Sequence, residues 1–250
     1  MEGWTAYAVL FVSGCVAGVL NVIAGGGSFL TLPILIFLGL PAAVANGTNR
    51  LAIVVQSAGA VWGFNQYGLL DWRSWLWASV PAAVGSIVGT WGALLISDEA
   101  FKKVLALVMV GVTLWTLWDP LADRSSGSVS ARSLGGPALG LGFFLIGIYG
   151  GFVQAGVGFL ILAVTTLAGL DLIRGNAVKA LCVLLFTTIS LAMFLWQGKV
   201  HWPMGAALAA GTFVGGLLGV RLTVLKGQAW VKGVVTATVL LFAVLLWIEG

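Results

Sequence analysis

Residues 18–37 read GVLNVIAGGGSFLTLPILIF, an apolar run that is interrupted by three consecutive glycines. The apolar segment that follows the break, 28–39, is too short to cross a bilayer upright, which takes about 20 residues. A second break, QAGVG at 154–158, precedes another short apolar segment, 158–169. Irregular backbone at membrane depth is tolerated only where it is buried in protein or lines a cavity. The two breaks therefore predict short, broken helices near the centre of a helical bundle.

The composition of the chain is that of an integral membrane protein. Hydrophobic residues make up 60% of the sequence and charged residues 8%, against about 45–50% and about 25% in soluble domains. The N-terminus lacks the basic stretch of a cleaved signal peptide, so we expect the first apolar segment to be retained. We predict an all-α, multi-pass protein in which residues 1–250 form a single transmembrane domain. Eight apolar segments are long enough to span a bilayer: 4–24, 42–67, 72–96, 100–118, 135–156, 172–197, 202–225 and 229–248.

The chain repeats itself in two halves, 4–118 and 134–249, which are joined by a polar linker, 119–133. Residues 14–25, GCVAGVLNVIAG, align with residues 147–158, GIYGGFVQAGVG. Further matches follow in the same order: Asn46 with Asn176, Gly68 with Gly198, Trp72 with Trp202, Gly85 with Gly215 and Gly89 with Gly219.

The number of crossings sets the relative orientation of the two halves. Five crossings in the first half insert the second half upside down. Three crossings, which result if each short segment forms a re-entrant hairpin, give the same orientation. The side that receives more Lys and Arg, among them Arg73, Arg124 and Lys226, is expected to be cytoplasmic, which places both termini outside. Two inverted repeats of about five segments with interrupted helices are typical of secondary transporters.

Two basic residues lie inside apolar helices at nearly matching places. Arg50 falls about 13 Å along its predicted helix at 1.5 Å per residue, and Lys179 lies one position earlier in the second half. A cation in hydrocarbon costs at least ~2.5–3.5 kcal/mol, and every Asp and Glu of the sequence is terminal or at the end of a span. A transported anion would supply the missing charge, and Arg suits an oxyanion through its planar fork.

Neighbouring polar groups extend the predicted anion site. Asn46, Thr48 and Asn49 precede Arg50, and Asn176 precedes Lys179; all four can donate hydrogen bonds. Arg174 lies nearer the start of the same predicted helix as Lys179. Gly26 and Gly27 lead into the first short helix, whose free amides carry a partial positive charge.

Two alternatives to an anion site stay open. In the first, the basic side chains extend their charged groups to a water interface; these are Arg50, Lys179 and Arg174, of which Arg174 would pair with Asp171. In the second, Asn46 and Asn176 only join helices, or start a local break at the Asn46-Gly47 turn signal.

The sequence lacks the motifs of several other functions. There is no HExxH, one histidine, His201, and no G-x-x-x-x-G-K-[ST] phosphate-binding loop. Cys15 and Cys182 lie in apolar runs and indicate neither a disulfide framework nor a metal site. No basic patch with exposed aromatic residues indicates nucleic-acid binding. We therefore expect a protein that is not an enzyme and that has no cofactor and no metal ion.

Two stretches of the sequence resemble the motifs of a known family. Residues 18–60 resemble the first signature of the TauE/SafE sulfite exporter family, the TSUP anion permeases, and residues 169–184, GLDLIRGNAVKALCVL, resemble the second. The resemblance implies a bacterial or archaeal inner-membrane permease for small sulfur-containing anions such as sulfite, thiosulfate and organosulfonates. The family's commoner pattern has Thr-Ser where this chain has Thr48-Asn49, which leaves the substrate open. The motif residues carried over are Gly25, Gly26, Gly27, Pro33, Asn46, Thr48, Asn49, Arg50, Asn176 and Lys179.

The residues and the resemblance together predict a secondary transporter that moves small anions by alternating access. An anion channel and a non-transporting structural subunit of a membrane complex are the alternatives. The expected partners are a small anionic substrate and the lipid bilayer. The identity of the anion, the direction of transport, any coupling ion and a homodimer stay open.

Overall fold

The computed structural model describes residues 3–70, 72–117 and 136–249, and the regular structure in these ranges is all helical. The predicted linker, 119–133, lies outside the described residues. The all-α class is therefore confirmed for the described chain. The helices are α1 (Trp4–Ile23), α2 (Ser28–Phe37), α3 (Ala42–Gln66), α4 (Trp72–Leu95), α5 (Asp98–Leu117), α6 (Gly136–Phe152), α7 (Val157–Leu167), α8 (Leu172–Trp196) and α9 (Trp202–Glu249), with a kink in α9 at Gly227.

Both predicted short segments are short helices. α2 has 10 residues and α7 has 11. The breaks before them contain left-handed backbone at Gly25, with φ 93°, and at Gly156, with φ 74°. Glycine adopts this conformation without the steric cost of a Cβ. The breaks thus end α1 at Ile23 and α6 at Phe152.

Three described helices are both long and apolar enough to cross a membrane. They are Trp4–Ile23, Leu172–Trp196 and Trp202–Gly227. Shorter apolar helices within the described ranges are Ser28–Phe37, Ser79–Leu95, Pro137–Phe152 and Val157–Leu167. The eight long spans inferred from the sequence stay a prediction.

Helices from opposite halves of the chain pack closely against each other. α1 packs on α9, and α6 packs on α4. A Cβ on Gly14 or Gly18 would overlap the backbone of α9 around Thr212, and a Cβ on the matching Gly147 or Gly151 would overlap the backbone of α4. α3 packs on α9, α8 packs on α4, and α3 and α8 contact each other. The pair α3 and α8 therefore lies at the centre of the bundle.

Candidate functional site

Arg50 on α3 is fully buried, and its guanidinium lies at the C-terminal end of α6. Nη1 donates to the carbonyl oxygen of Gly150 at 3.2 Å, and Nη2 donates to that of Gly151. Nη1 also donates to Oε1 of Gln154 at 3.1 Å, and the guanidinium lies 5.0 Å from the centre of the Phe194 ring. The last carbonyls of a helix lack partners within it and carry partial negative charge. The end of α6 thus provides Arg50 with acceptors.

Lys179 on α8 has the corresponding environment at the end of α1. Its Nζ donates to the carbonyl oxygen of Val22 at 2.8 Å and to Oδ1 of Asn176. Nδ2 of Asn176 donates to the carbonyl oxygen of Ile23 at 3.2 Å. This side-chain pair therefore satisfies the last carbonyls of a helix from the opposite half of the chain.

Asn46 does the same for α6. Its Nδ2 donates to the carbonyl oxygen of Phe152 at 2.9 Å, as Asn176 does to Ile23. α3 continues through Asn46 and Gly47, so the alternative of a local break at this turn signal is wrong. Both asparagines join helices, and their role in binding an anion stays a prediction.

The two chain breaks contact each other between these helix ends. A Cβ on Gly25 would overlap the backbone of Gly158, and a Cβ on Gly158 would overlap that of Gly25 and lie 3.0 Å from Cδ of Lys179. A side chain on either glycine would therefore separate the breaks, and one on Gly158 would also press on the lysine.

A polar cavity lies beside Lys179. It leaves about 20 Å³ for the centre of a water molecule, above the roughly 10–15 Å³ that one water needs. Lys179 is 4% exposed. An ammonium has three N–H donors, of which two are used on Val22 and Asn176, so one is left for a group in the cavity. The polar residues of the lining are Asn21, Gln56, Ser57, Gln154, Asn176 and Lys179.

The structure separates the predicted site residues into two groups. Lys179 and Asn176 line the cavity, whereas Arg50 and Asn46 lie at the end of α6 and do not line it. Arg50 and Lys179 are both buried, so neither extends to a water interface.

The side chains of Thr48 and Asn49 form hydrogen bonds to other parts of the fold. Oγ1 of Thr48 accepts from the backbone N–H of His201 at 2.9 Å, just before α9. Oδ1 of Asn49 accepts from Oγ1 of Thr31 on α2 at 2.7 Å. Both side chains are buried, and neither lines the cavity.

Gly26, Gly27 and Arg174 also lie outside the cavity lining. Gly26 and Gly27 precede α2, and a Cβ on Gly27 would overlap the carbonyl of Ala17 on α1. The Arg174 side chain is 67% exposed, and its Nε lies 3.7 Å from a carboxylate oxygen of Asp171. Arg174 therefore forms the ion pair that the sequence left open as an alternative.

Sequence reasoning missed four lining residues, Asn21, Gln56, Ser57 and Gln154. All four are polar residues within apolar segments, and Asn21 aligns with Gln154 in the repeat. That combination was a signal that could have found Asn21 and Gln154. Among the described residues, no group of three or more His, Cys, Asp or Glu side chains could hold a metal ion.

Comparisons with known proteins give one consistent result. A family model described as Sulfite exporter TauE/SafE matches residues 10–246. A probable membrane transporter protein of Haemophilus influenzae is 30% identical over 91% of this chain and 89% of its own length. Probable membrane transporter proteins of a Sinorhizobium species and of Escherichia coli, the latter called YfcA, are each 28% identical over 90% of this chain, and the matches cover 86% and 83% of their lengths. No solved structure gives a significant match.

Proposed function

The chain belongs to the sulfite exporter TauE/SafE family, and we propose that it is a secondary transporter for small anions, with sulfite or another sulfur-containing oxyanion as its substrate. The observation that carries the proposal is the ammonium of Lys179, which is buried beside a polar cavity with one N–H donor to spare. No Asp or Glu is buried among the described residues. The cavity of this conformation has room for about one water, so an anion would enter only when the lining opens, and it would then be the natural partner of this charge.

Helix directions support two inverted repeats, 4–118 and 134–249. Residue numbers increase in the same direction along α4 and α8 at their contacts, from Ser79 with Cys182 to Thr90 with Ser190. The two helices therefore run parallel. Contacts between α3 and α9 also advance together, from Thr48 with His201 to Ala52 with Thr212.

The connection between α3 and α4, residues 67–71, is short, and short connections favour antiparallel neighbours. α8 then runs opposite to α3, and α9 runs opposite to α4, as an inversion of the second half requires. The kink at Gly227, which divides α9, supports five segments in each half.

This arrangement suits alternating access. In inverted-repeat transporters the site lies between the repeats near the middle of the membrane, next to discontinuous helices. Here the cavity is lined by residues from α1, α3, α7 and α8 and lies beside the contact between the two breaks. We place the protein in the inner membrane of a bacterium or archaeon, with both termini outside.

Counterflow in proteoliposomes tests the proposal. Liposomes loaded with unlabelled sulfite should take up radiolabelled sulfite faster than empty liposomes, because an alternating-access carrier exchanges its substrate. A channel gives no such acceleration, and a structural subunit moves no anion, so either result would contradict a transporter. The panel includes thiosulfate, sulfoacetate, taurine and simple carboxylates.

A pair of lysine variants ties the activity to the cavity. Lys179→Gln should lose the accelerated uptake, because the cavity loses its charge. Lys103→Gln is the matched control, since Lys103 is exposed and pairs with Glu99 at 2.9 Å on the surface of α5. Equal loss or equal retention in the two variants would count against Lys179 as the anion's partner.

A further inference from the structure

Arg50 fixes the orientation of the Gln154 amide. A guanidinium only donates hydrogen bonds, so the Gln154 atom that faces Nη1 at 3.1 Å must be the oxygen Oε1. Oγ1 of Thr187 donates to the same oxygen at 3.2 Å. The amide nitrogen Nε2 is therefore turned away from both donors, in a side chain that lines the cavity. Gln154 also has φ 69°, a rare backbone conformation for a residue other than glycine.

Gln56 on α3 is a second buried amide of the lining. Nδ2 of Asn21 donates to its Oε1 at 3.2 Å, which leaves Nε2 of Gln56 as a donor. Gln56 is 3% exposed and Gln154 is 2% exposed. No described residue accepts a hydrogen bond from either Nε2 atom. Two buried amide groups thus have donors without partners beside the cavity.

The side chains of the lining offer more donors than acceptors. The donors are the spare N–H of Lys179 and the Nε2 groups of Gln56 and Gln154. Oδ1 of Asn21 is the one side-chain amide oxygen of the lining with no described donor, and the hydroxyl of Ser57 can turn to donate. No carboxylate contributes to the lining.

From this donor excess we propose that the cavity binds a fully ionised small oxyanion, and that Gln154 and Gln56 determine selectivity against oxyanions that carry a proton. An oxyanion without protons accepts from every donor. A protonated one brings an O–H group that can donate only to Oδ1 of Asn21 or to Ser57, and any orientation that turns it toward the lysine and glutamine donors leaves it without an acceptor, which is costly. In this scheme Arg50 is a positioning residue that acts through Gln154. The inference rests on the proposed function and adds the chemical form of its substrate.

Sulfate and phosphate form the probe pair, because both are tetrahedral and of similar size, but at neutral pH phosphate retains at least one proton and sulfate none. Calorimetric titration of the purified wild-type protein should detect sulfate with at least about tenfold higher affinity than phosphate. Equal affinities would overturn the inference. Sulfite counterflow without any binding of sulfate would also overturn it, while the proposed function would stand. No counterflow with any anion would instead contradict the proposed function.

Gln154→Glu tests the role of the amide. Glu keeps an oxygen for Arg50 and Thr187 but replaces the cavity donor with a carboxylate oxygen. Sulfate affinity should fall about tenfold or more at neutral pH and recover only at a pH low enough to protonate a carboxylate that faces the Arg50 guanidinium, where the carboxyl group donates again. A purely structural defect would not recover, so permanent loss or no loss would overturn the role of Gln154.

Two more variants keep the test decisive. Gln56→Glu, which preserves the acceptor for Asn21, should show the same loss and recovery, and it replaces Gln154→Glu if that variant does not fold. Thr188→Val is the matched control, because Thr188 is exposed on α8 and donates at 2.7 Å to the carbonyl of Leu184 in its own helix. Thr188→Val should keep the wild-type preference for sulfate. Unchanged selectivity in the Gln56 variant would remove Gln56 from the proposal.

Discussion

Nζ of Lys179 lies 2.8 Å from the carbonyl oxygen of Val22, so a cation on α8 stabilises the C-terminal end of α1. Arg50 on α3 stabilises the end of α6 through the carbonyls of Gly150 and Gly151. A helix C-terminus carries about half a negative charge. Each half of the chain therefore supplies the cation that complements a helix end in the other half.

Arg50→Gln should destabilise the protein. The carbonyl of Gly150 would lose its donor in a buried place, at a cost of roughly 1–3 kcal/mol. Gly151 and Gln154 would each lose one of two donors and keep those from Thr90 and Thr187. Thermal unfolding of the purified variant in detergent measures the effect. Arg174→Gln serves as the control, since its side chain is 67% exposed, and it should stay within about 0.5 kcal/mol of the wild type. A similar melting temperature for both variants would contradict the importance of the buried contacts.

Gly158→Ala should destabilise the contact between the two breaks. The added methyl group would overlap the backbone of Gly25 and press on the Lys179 side chain, and overpacking of this kind costs about 1–3 kcal/mol. Gly111→Ala in α5 is the comparison, because its Cβ would meet nothing within 4 Å. That substitution should be neutral or stabilise the helix by up to about 1 kcal/mol. Gly158→Ala should therefore melt at a lower temperature than Gly111→Ala. The reverse order would refute the close approach of the two breaks.

Asp171→Ala should weaken the start of α8. Oδ1 of Asp171 accepts from the backbone N–H groups of Ile173 and Arg174 at 3.0 and 2.8 Å. Loss of such an N-cap costs about 1 kcal/mol. Asp171→Asn, which retains a capping oxygen, should recover most of the stability lost in Asp171→Ala. If Asn were no better than Ala, the cap would not be the source of the effect.

The sequence predicted local features of this fold better than contacts between its halves. Apolar segments and glycine-rich breaks predicted the short helices α2 and α7, because helix ends are encoded within a few residues. Arg50 and Lys179 were singled out because no acidic residue accompanies them. Their backbone partners were missed, because these carbonyls lie about a hundred residues or more away and no side-chain pattern marks them.

Which of the two cations faces the cavity also could not be predicted. Arg50 and Lys179 occupy nearly equivalent places in the repeat, yet only Lys179 lines the cavity. Lys179 reaches the cavity and Arg50 does not because of three-dimensional packing: Gln154 contacts Arg50 and itself lines the cavity. Gln56 and Ser57 were overlooked for the same reason, since a polar residue in an apolar helix faces either a cavity or another helix.

The pairing of α1 with α9 has a consequence for biogenesis. α1 leaves the ribosome well before α9, so its glycine-lined face waits uncovered while the helices between them are still being synthesised. During that interval lipid, or the insertion machinery, has to shield this face. Truncation anywhere before α9 should therefore leave α1 a target for membrane quality-control proteases.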